Sequence, residues 1–195
     1  MTASLSLDII QAELQQSKAC LERALDSDFP QQIALAASVI VDSLTQGHKL
    51  LIFGNGGSSS DAQHWAGELV VRFQKNRRAL PAIALSADST ILTACGNDFG
   101  FTEVFARQIE ALGQQGDVAI GISTSGNSAN VLQAFQAAHS LGLTNILLTG
   151  ATDGLAVDYC DIRVTAPATT TARIQELHLL AYHTICTLVD LRFSN

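Results

Sequence analysis

The chain has 195 residues, of which 47% are hydrophobic and 15% charged, and it carries a net charge of -7. That length and balance describe one globular domain with a full core, able to bury roughly 70% of its unfolded surface without disulfide or metal staples. The acidic balance argues against nucleic acid as a partner, because phosphate backbones are gripped by clustered Lys and Arg, and the one dense cluster is Arg72, Lys75, Arg77 and Arg78.

Leu5, Ile9, Leu14, Leu21 and Leu25 recur near helical spacing, and Ile33, Ala37, Ile40, Val41 and Leu44 repeat the pattern, so two helices are expected over 5–25 and 31–44, separated near Asp26 to Pro30. Lys49 to Phe53 is a short apolar run ending at Gly54, the signature of a strand buried on both faces. Ala82–Leu85, Val118–Ile122 and Asn145–Leu148 share that character, with Ile162–Val164 weaker. Helical patterns fill the intervals at Ser58–Phe73, Ser89–Ala94, Phe101–Leu112 and Ser128–Leu141, and Thr171–Leu191 closes the chain. Strands alternating with helices predict right-handed crossovers and an open, doubly wound, mostly parallel sheet, with ligands at the carboxyl ends of its strands. The three prolines, Pro30, Pro81 and Pro167, lie at element boundaries, so 1–195 reads as a single domain, with helices over about 1–47 preceding an α/β core over about 48–195.

Sparse charge with abundant Ala, Leu and Ile points to helix surface covered by another copy of the chain, so an oligomer is expected. Cys20, Cys95, Cys160 and Cys186 lack CxxC spacing and sit in apolar runs, which reads as reduced core thiols. Met1 to Leu7 lacks the basic-then-apolar pattern of a leader, and no run approaches the ~18 apolar residues of a membrane span, so the expected location is cytoplasmic.

Two segments repeat the order apolar strand, Gly/Ser-rich turn, helix start: Ile52 to Ser60 and Ile122 to Ser128. The first is neither a dinucleotide fingerprint, since Ser59 stands where the third glycine belongs, nor a P-loop, since the Lys-Ser/Thr pair is missing. Its small residues let backbone N–H groups approach a ligand at a helix N-terminus, which favours an anion. The second offers Ser123, Thr124, Ser125 and Ser128, short neutral donors suited to a phosphate monoester, though a turn with an N-cap needs the same residues.

His64 and Glu68 lie four positions apart on one helix face. Gln175 and His183 are about 80° apart around the closing helix and can lean on one cavity, whereas His178 is about 140° from His183. His64, Glu68, Gln175 and His183 together make an N/O ligand set for a borderline divalent metal, zinc first, or else Glu68 and His183 act as base and acid. The polar pair Asn97-Asp98 suits a polyol or a simple turn, His48 and His139 read as exposed residues near helix ends, and Trp65 reads as packing or a cavity wall.

Gly54-Asn-Gly-Gly-Ser58, Asp61 to His64, Glu68, Gly96 to Gly100, Gly121 to Asn130 and Arg173-Ile-Gln-Glu176 with His183 closely resemble the bacterial phosphoheptose isomerases, from the first helix to the last. The resemblance implies the sugar isomerase (SIS) fold, a flavodoxin-like three-layer α/β/α sandwich with extra N-terminal helices. It implies interconversion of D-sedoheptulose 7-phosphate and D-glycero-D-manno-heptose 7-phosphate, the first step toward the activated heptoses of surface glycans such as lipopolysaccharide. By position it implies Ser123, Thr124, Ser125 and Ser128 on the phosphate, and Asn55, Gly56, Gly57, Glu68, Asn97, Asp98 and Gln175 on substrate. It further implies Glu68 and His183 as the catalytic pair, one zinc per subunit on His64, Glu68, Gln175 and His183, and a homotetramer with sites across subunit boundaries. A carboxylate that holds zinc is a poorer base, so the two tasks of Glu68 compete. Gly67 departs from relatives that place a second acid beside Glu68. Two alternatives share the fold: a non-catalytic branch that binds the bacterial replication initiator, which lacks the equivalents of Glu68 and His183, and SIS isomerases for other sugar phosphates.

Overall fold

The computed structural model describes residues 7–194. Two helices, α1 (Leu7–Leu25) and α2 (Phe29–Thr45), precede five parallel strands: β1 (Leu50–Gly54), β2 (Ala82–Ala84), β3 (Val118–Ile122), β4 (Thr144–Thr149) and β5 (Ile162–Thr165). Between them run α3 (Gly57–Val70), α4 (Ser89–Asp98), α5 (Ala106–Leu112) and α6 (Ala129–Ser140), and α7 (Thr171–Phe193) closes the chain. The sheet order is β2-β1-β3-β4-β5.

Because side chains alternate across a strand, each strand feeds two cores. Leu50, Ile52, Val118, Ile120, Ile122, Ile146 and Leu148 face α2, α3 and α7, while Leu51, Phe53, Ala119 and Leu147 face α4, α5 and α6. This is the expected α/β/α sandwich, and both faces are covered, which is why the strands read as continuous apolar runs. Among the described residues no helix is long and apolar enough to cross a membrane.

The helix expected over Phe101–Leu112 is two pieces. Gly100, at φ +90, turns the chain into a short 3-10 turn over Phe101–Glu103, and the buried Val104 and Phe105 then redirect it into α5. The helix starting at Ser89 runs on to Asp98, opened by the Asp88 carboxylate, which accepts from the Thr90 and Ile91 N–H groups at 2.8 and 3.0 Å. Pro30 belongs to the first turn of α2, where its missing N–H costs nothing.

The leucine stripe of α1 does not enter the core of the subunit. Only Cys20 and Ala24 of that helix are buried, whereas Ile9, Leu14, Leu21 and Leu25 are exposed, and Leu5 lies outside the described residues. Polar ties hold α1 instead: Arg173 donates to the Glu13 carbonyl at 2.9 Å and to the Ser17 hydroxyl, which donates to Glu176 at 2.9 Å. Beside it, an apolar groove of about 420 Å³ is lined by Leu21, Phe29, Ile33, Leu180 and Leu188.

Candidate active site

After β1 the chain turns onto one face of the sheet and after β3 onto the other, so the two Gly/Ser turns flank the point where the strand order reverses. Both turns open helices whose N-termini lack a side-chain cap. Gly56, at φ +56, is the N-cap of α3, a backbone state that glycine adopts without steric cost. At the N-cap of α6 the Ser128 hydroxyl pairs with the Ser123 hydroxyl at 3.1 Å instead of bonding the helix. The reading of Ser123–Ser128 as a plain capped turn therefore loses its support, and free N–H groups stand beside clustered hydroxyls.

Asn55 and Asn130 tie the two turns together through reciprocal amide hydrogen bonds of 2.8 and 2.9 Å. The Ser125 hydroxyl accepts from the Asn127 N–H at 3.2 Å, and the Asn127 side-chain Oδ1 accepts from the Leu155 N–H at 2.9 Å. Gly154 backs this turn so closely that a Cβ there would meet the Ser125 and Gly126 backbone.

Helices α3 and α7 pack side by side in the same direction, which pairs residues from distant parts of the sequence. Gln175 sets its carboxamide against Gly57 at the start of α3, Tyr182 and His183 meet Asp61 and His64 further along, and Asp190 meets the segment after α3. His64 Nε2 lies 3.0 Å from Glu68 Oε1, and one ligand atom each from His64, Glu68 and His183 all fall within 4.8 Å of one another. The structure thus brings together three of the four residues expected to bind metal and leaves Gln175 against the first turn. Burial, then the neighbouring His64, pulls the His183 pKa below the usual imidazole value, and its Nε2 has no hydrogen-bond partner among the described residues. Phe73 and Tyr182 wall the His183 ring at 5.2 and 4.8 Å between centroids.

Asn97 and Asp98 stand exposed in the last turn of α4, hydrogen-bonded to each other at 2.7 Å. His178, as its helical angle suggested, points away from His183: it is fully buried and its Nε2 reaches the Thr149 carbonyl at 3.1 Å. His48 is half-buried and stands 3.9 Å from Asp117, and His139 is exposed in the last turn of α6.

Sequence reasoning missed three participants. Tyr182 is buried, stacks on Trp65 at 5.5 Å, and places its hydroxyl 3.0 Å from His64 Nδ1 and 3.3 Å from Asp61 Oδ1. Burial, then the Asp61 charge, holds the phenol far above its usual pKa, and burial raises the Asp61 carboxyl. The third is Asp190. The basic cluster is not a surface feature as a whole, for the Arg77 side chain is 0% exposed and its Nε donates to Asp190 at 2.8 Å. The rest of that guanidinium donates to the Glu68 and Leu69 carbonyls at 2.8 Å, tying the end of α3 beneath Glu68 to α7. An acid directly after the core residue Val189 and an Arg in a loop carry no sign of this partnership; the three-residue spacing of Asp61 and His64 on one helix is the only local signal for the other pair.

A family model described as SIS domain matches residues 14–150. The phosphoheptose isomerase of Geobacter sulfurreducens is 48% identical over 186 residues, covering 95% of this chain and 98% of that protein. That of Aquifex aeolicus is 52% identical over 162 residues, covering 83% and 85%. The solved phosphoheptose isomerase of Francisella tularensis superposes with a TM-score of 0.92 at 38% identity, covering 98% of this chain and 100% of that one. With the fold, the paired turns and the carboxylate–imidazole cluster in place, these matches show that the chain belongs to the phosphoheptose isomerase family of SIS-domain proteins.

Proposed function

We propose that the chain interconverts D-sedoheptulose 7-phosphate and D-glycero-D-manno-heptose 7-phosphate by moving a proton between C1 and C2 through an enediol. The observation that carries this reading is the meeting of Glu68, His64 and His183 within 4.8 Å, on helices from opposite ends of the chain. A non-catalytic SIS protein has no need of that cluster. Glu68 removes the carbon-bound proton at C1 of the ketose and returns it at C2, while His183, kept neutral by burial, donates to and accepts from the sugar oxygens. Ser123, Thr124, Ser125 and Ser128, with the free N–H groups of α6, hold the phosphate, and Gly56, Gly57, Asn97, Asp98 and Gln175 contact the sugar. Asn55 has much of its carboxamide engaged by Asn130, so its contact is through the backbone or its remaining N–H.

The donor set fits zinc: two imidazoles and a carboxylate converge, and the buried His183 Nε2 is otherwise unpartnered. His64, Glu68 and His183 would hold the ion, and Gln175, the fourth ligand that the family likeness implies, would have to leave Gly57 to join them. Bound there, zinc supplies Lewis-acid polarisation of the sugar oxygens.

Two features support an oligomer, a homotetramer by family likeness, with sites across subunit boundaries. The leucines of α1 and the groove beside it lack cover within the subunit. Glu68 also lies eleven residues beyond Gly57, roughly 16 Å along α3, and its side chain recovers only part of that distance. The chain from C1 to the phosphorus spans only about 10 Å at the ~1.2 Å per bond of an extended chain. A phosphate turn on one copy and the acid–base cluster of another fit that span better. Helices α1 and α2 serve this assembly, and the four free thiols suit the cytoplasm.

The test is turnover of sedoheptulose 7-phosphate in deuterated water. Deuterium at C2 of the aldose is expected, and Glu68→Gln should lower turnover by about 10²- to 10⁴-fold with assembly intact. Protein that shows neither exchange nor turnover would end the proposal.

A further inference from the structure

We infer that Asp61 and Tyr182 are a positioning pair that orients the His64 ring and decides which of its nitrogens carries the proton. Tyr182 does not need its hydroxyl to fill space, since its ring already stacks on Trp65 and meets His64 and His183 edge-on at 5.6 and 4.8 Å between centroids. The hydroxyl sits between His64 Nδ1 at 3.0 Å and Asp61 Oδ1 at 3.3 Å. One O–H carries one proton, so it serves Nδ1 or the carboxylate, not both.

The two choices correspond to two states of the site. With the ring proton on Nε2, donated to Glu68 Oε1 at 3.0 Å, Nδ1 presents a lone pair and accepts from Tyr182. With the ring proton on Nδ1, Nε2 presents its lone pair to the space shared with Glu68 and His183. Nδ1–H then donates to the Tyr182 oxygen, and the hydroxyl proton turns to Asp61. Each state has one ring proton and one phenol proton, so none is gained or lost, and no heavy atom moves. Asp61 matters only in the second state, the one in which Nε2 can bind a cation; metal-ligating imidazoles are commonly held by such an outer carboxylate. This second half rests on the zinc reading above, whereas the first does not.

The experiment uses full-length protein, stripped of metal and then given zinc alone. In the metal-free protein, imidazole ¹⁵N spectra should show His64 with its proton on Nε2. Tyr182→Phe keeps the stacked ring but should convert His64 to a mixture of both tautomers, and Asp61→Ala should leave the metal-free tautomer unchanged. Zinc affinity, read by chelator competition, should fall about 10- to 100-fold in both variants. A wild-type His64 protonated on Nδ1, or a Tyr182→Phe variant with unaltered spectrum and unaltered zinc affinity, overturns the inference. Asp61→Ala with undiminished zinc affinity removes Asp61 from the pair. Wild type that binds no zinc defeats the metal reading, and the tautomer spectra then decide the positioning role alone.

Discussion

Replacing Asp190 by Ala strands a buried cation. The Arg77 side chain is 0% exposed and Asp190 2%, and the carboxylate also accepts from the Gln74 and Lys75 N–H groups at 2.8 Å each. Asp190→Ala leaves the guanidinium and both N–H groups without their acceptor, the situation in which removing one partner of a buried pair costs about 3–5 kcal/mol. For a chain of this length each kcal/mol lowers the melting temperature by about 2–4 °C, so a drop of about 6 to 20 °C is expected by calorimetry at neutral pH. Burial alone would raise the Asp190 pKa, but the Lys75 and Gln74 N–H groups and Arg77 more than reverse that and hold it below 3.8. A depressed carboxyl stabilises above its unfolded pKa and loses that contribution as pH falls through the folded one, so the gap between wild type and variant should narrow below about pH 4. The double variant Arg77→Met with Asp190→Leu should recover part of the loss, because paired apolar side chains replace a paired charge. Melting of Asp190→Ala within about 2 °C of wild type at neutral pH would refute the reasoning.

Three shorter predictions accompany it. Ser128→Ala removes the hydroxyl that pairs with Ser123 and should raise KM for the sugar phosphate about 10- to 150-fold in steady-state kinetics, the worth of a hydrogen bond to a charged group, with kcat little changed. Gly154→Ala drives a Cβ into the Ser125 and Gly126 backbone, so the Ser123–Ser128 turn must shift; if that turn holds the phosphate as proposed, KM should rise, and denaturant unfolding should show a loss of about 1–3 kcal/mol. Burial lowers the His178 pKa to about 4 against 6.5 unfolded, so the unfolded chain takes the proton first as pH falls. Stability should therefore decline by about 3 kcal/mol between those two pH values, and His178→Phe should remove that part of the slope in urea unfolding.

The sandwich was legible because both sheet faces are covered: Leu50 to Phe53 and Val118 to Ile122 are unbroken apolar runs, and such runs between amphipathic segments admit few other layouts. Local spacing also revealed His64 with Glu68 and separated His178 from His183, since both depend only on the helical repeat. What escaped depends on how helices lie against each other. Tyr182 in an apolar helix reads as core, and its second role exists only because α7 runs alongside α3. Arg77 reads as a surface cation until Asp190, far along the chain, is placed beside it. The break at Val104 and Phe105 was hidden for the opposite reason, because both fit a helical stripe while their burial against α6 demands a change of direction.

The side-by-side course of α3 and α7 also bears on how the enzyme is made. A chain still emerging from the ribosome completes β5 and both Gly/Ser turns before residue 171, yet holds only the α3 half of the cluster that His64 and Glu68 form with His183. A chain made only as far as residue 170 would thus carry both turns without Tyr182 or His183, and without the α7 side chains Ile174, Leu177, Ile185 and Val189 that fill one of the two cores.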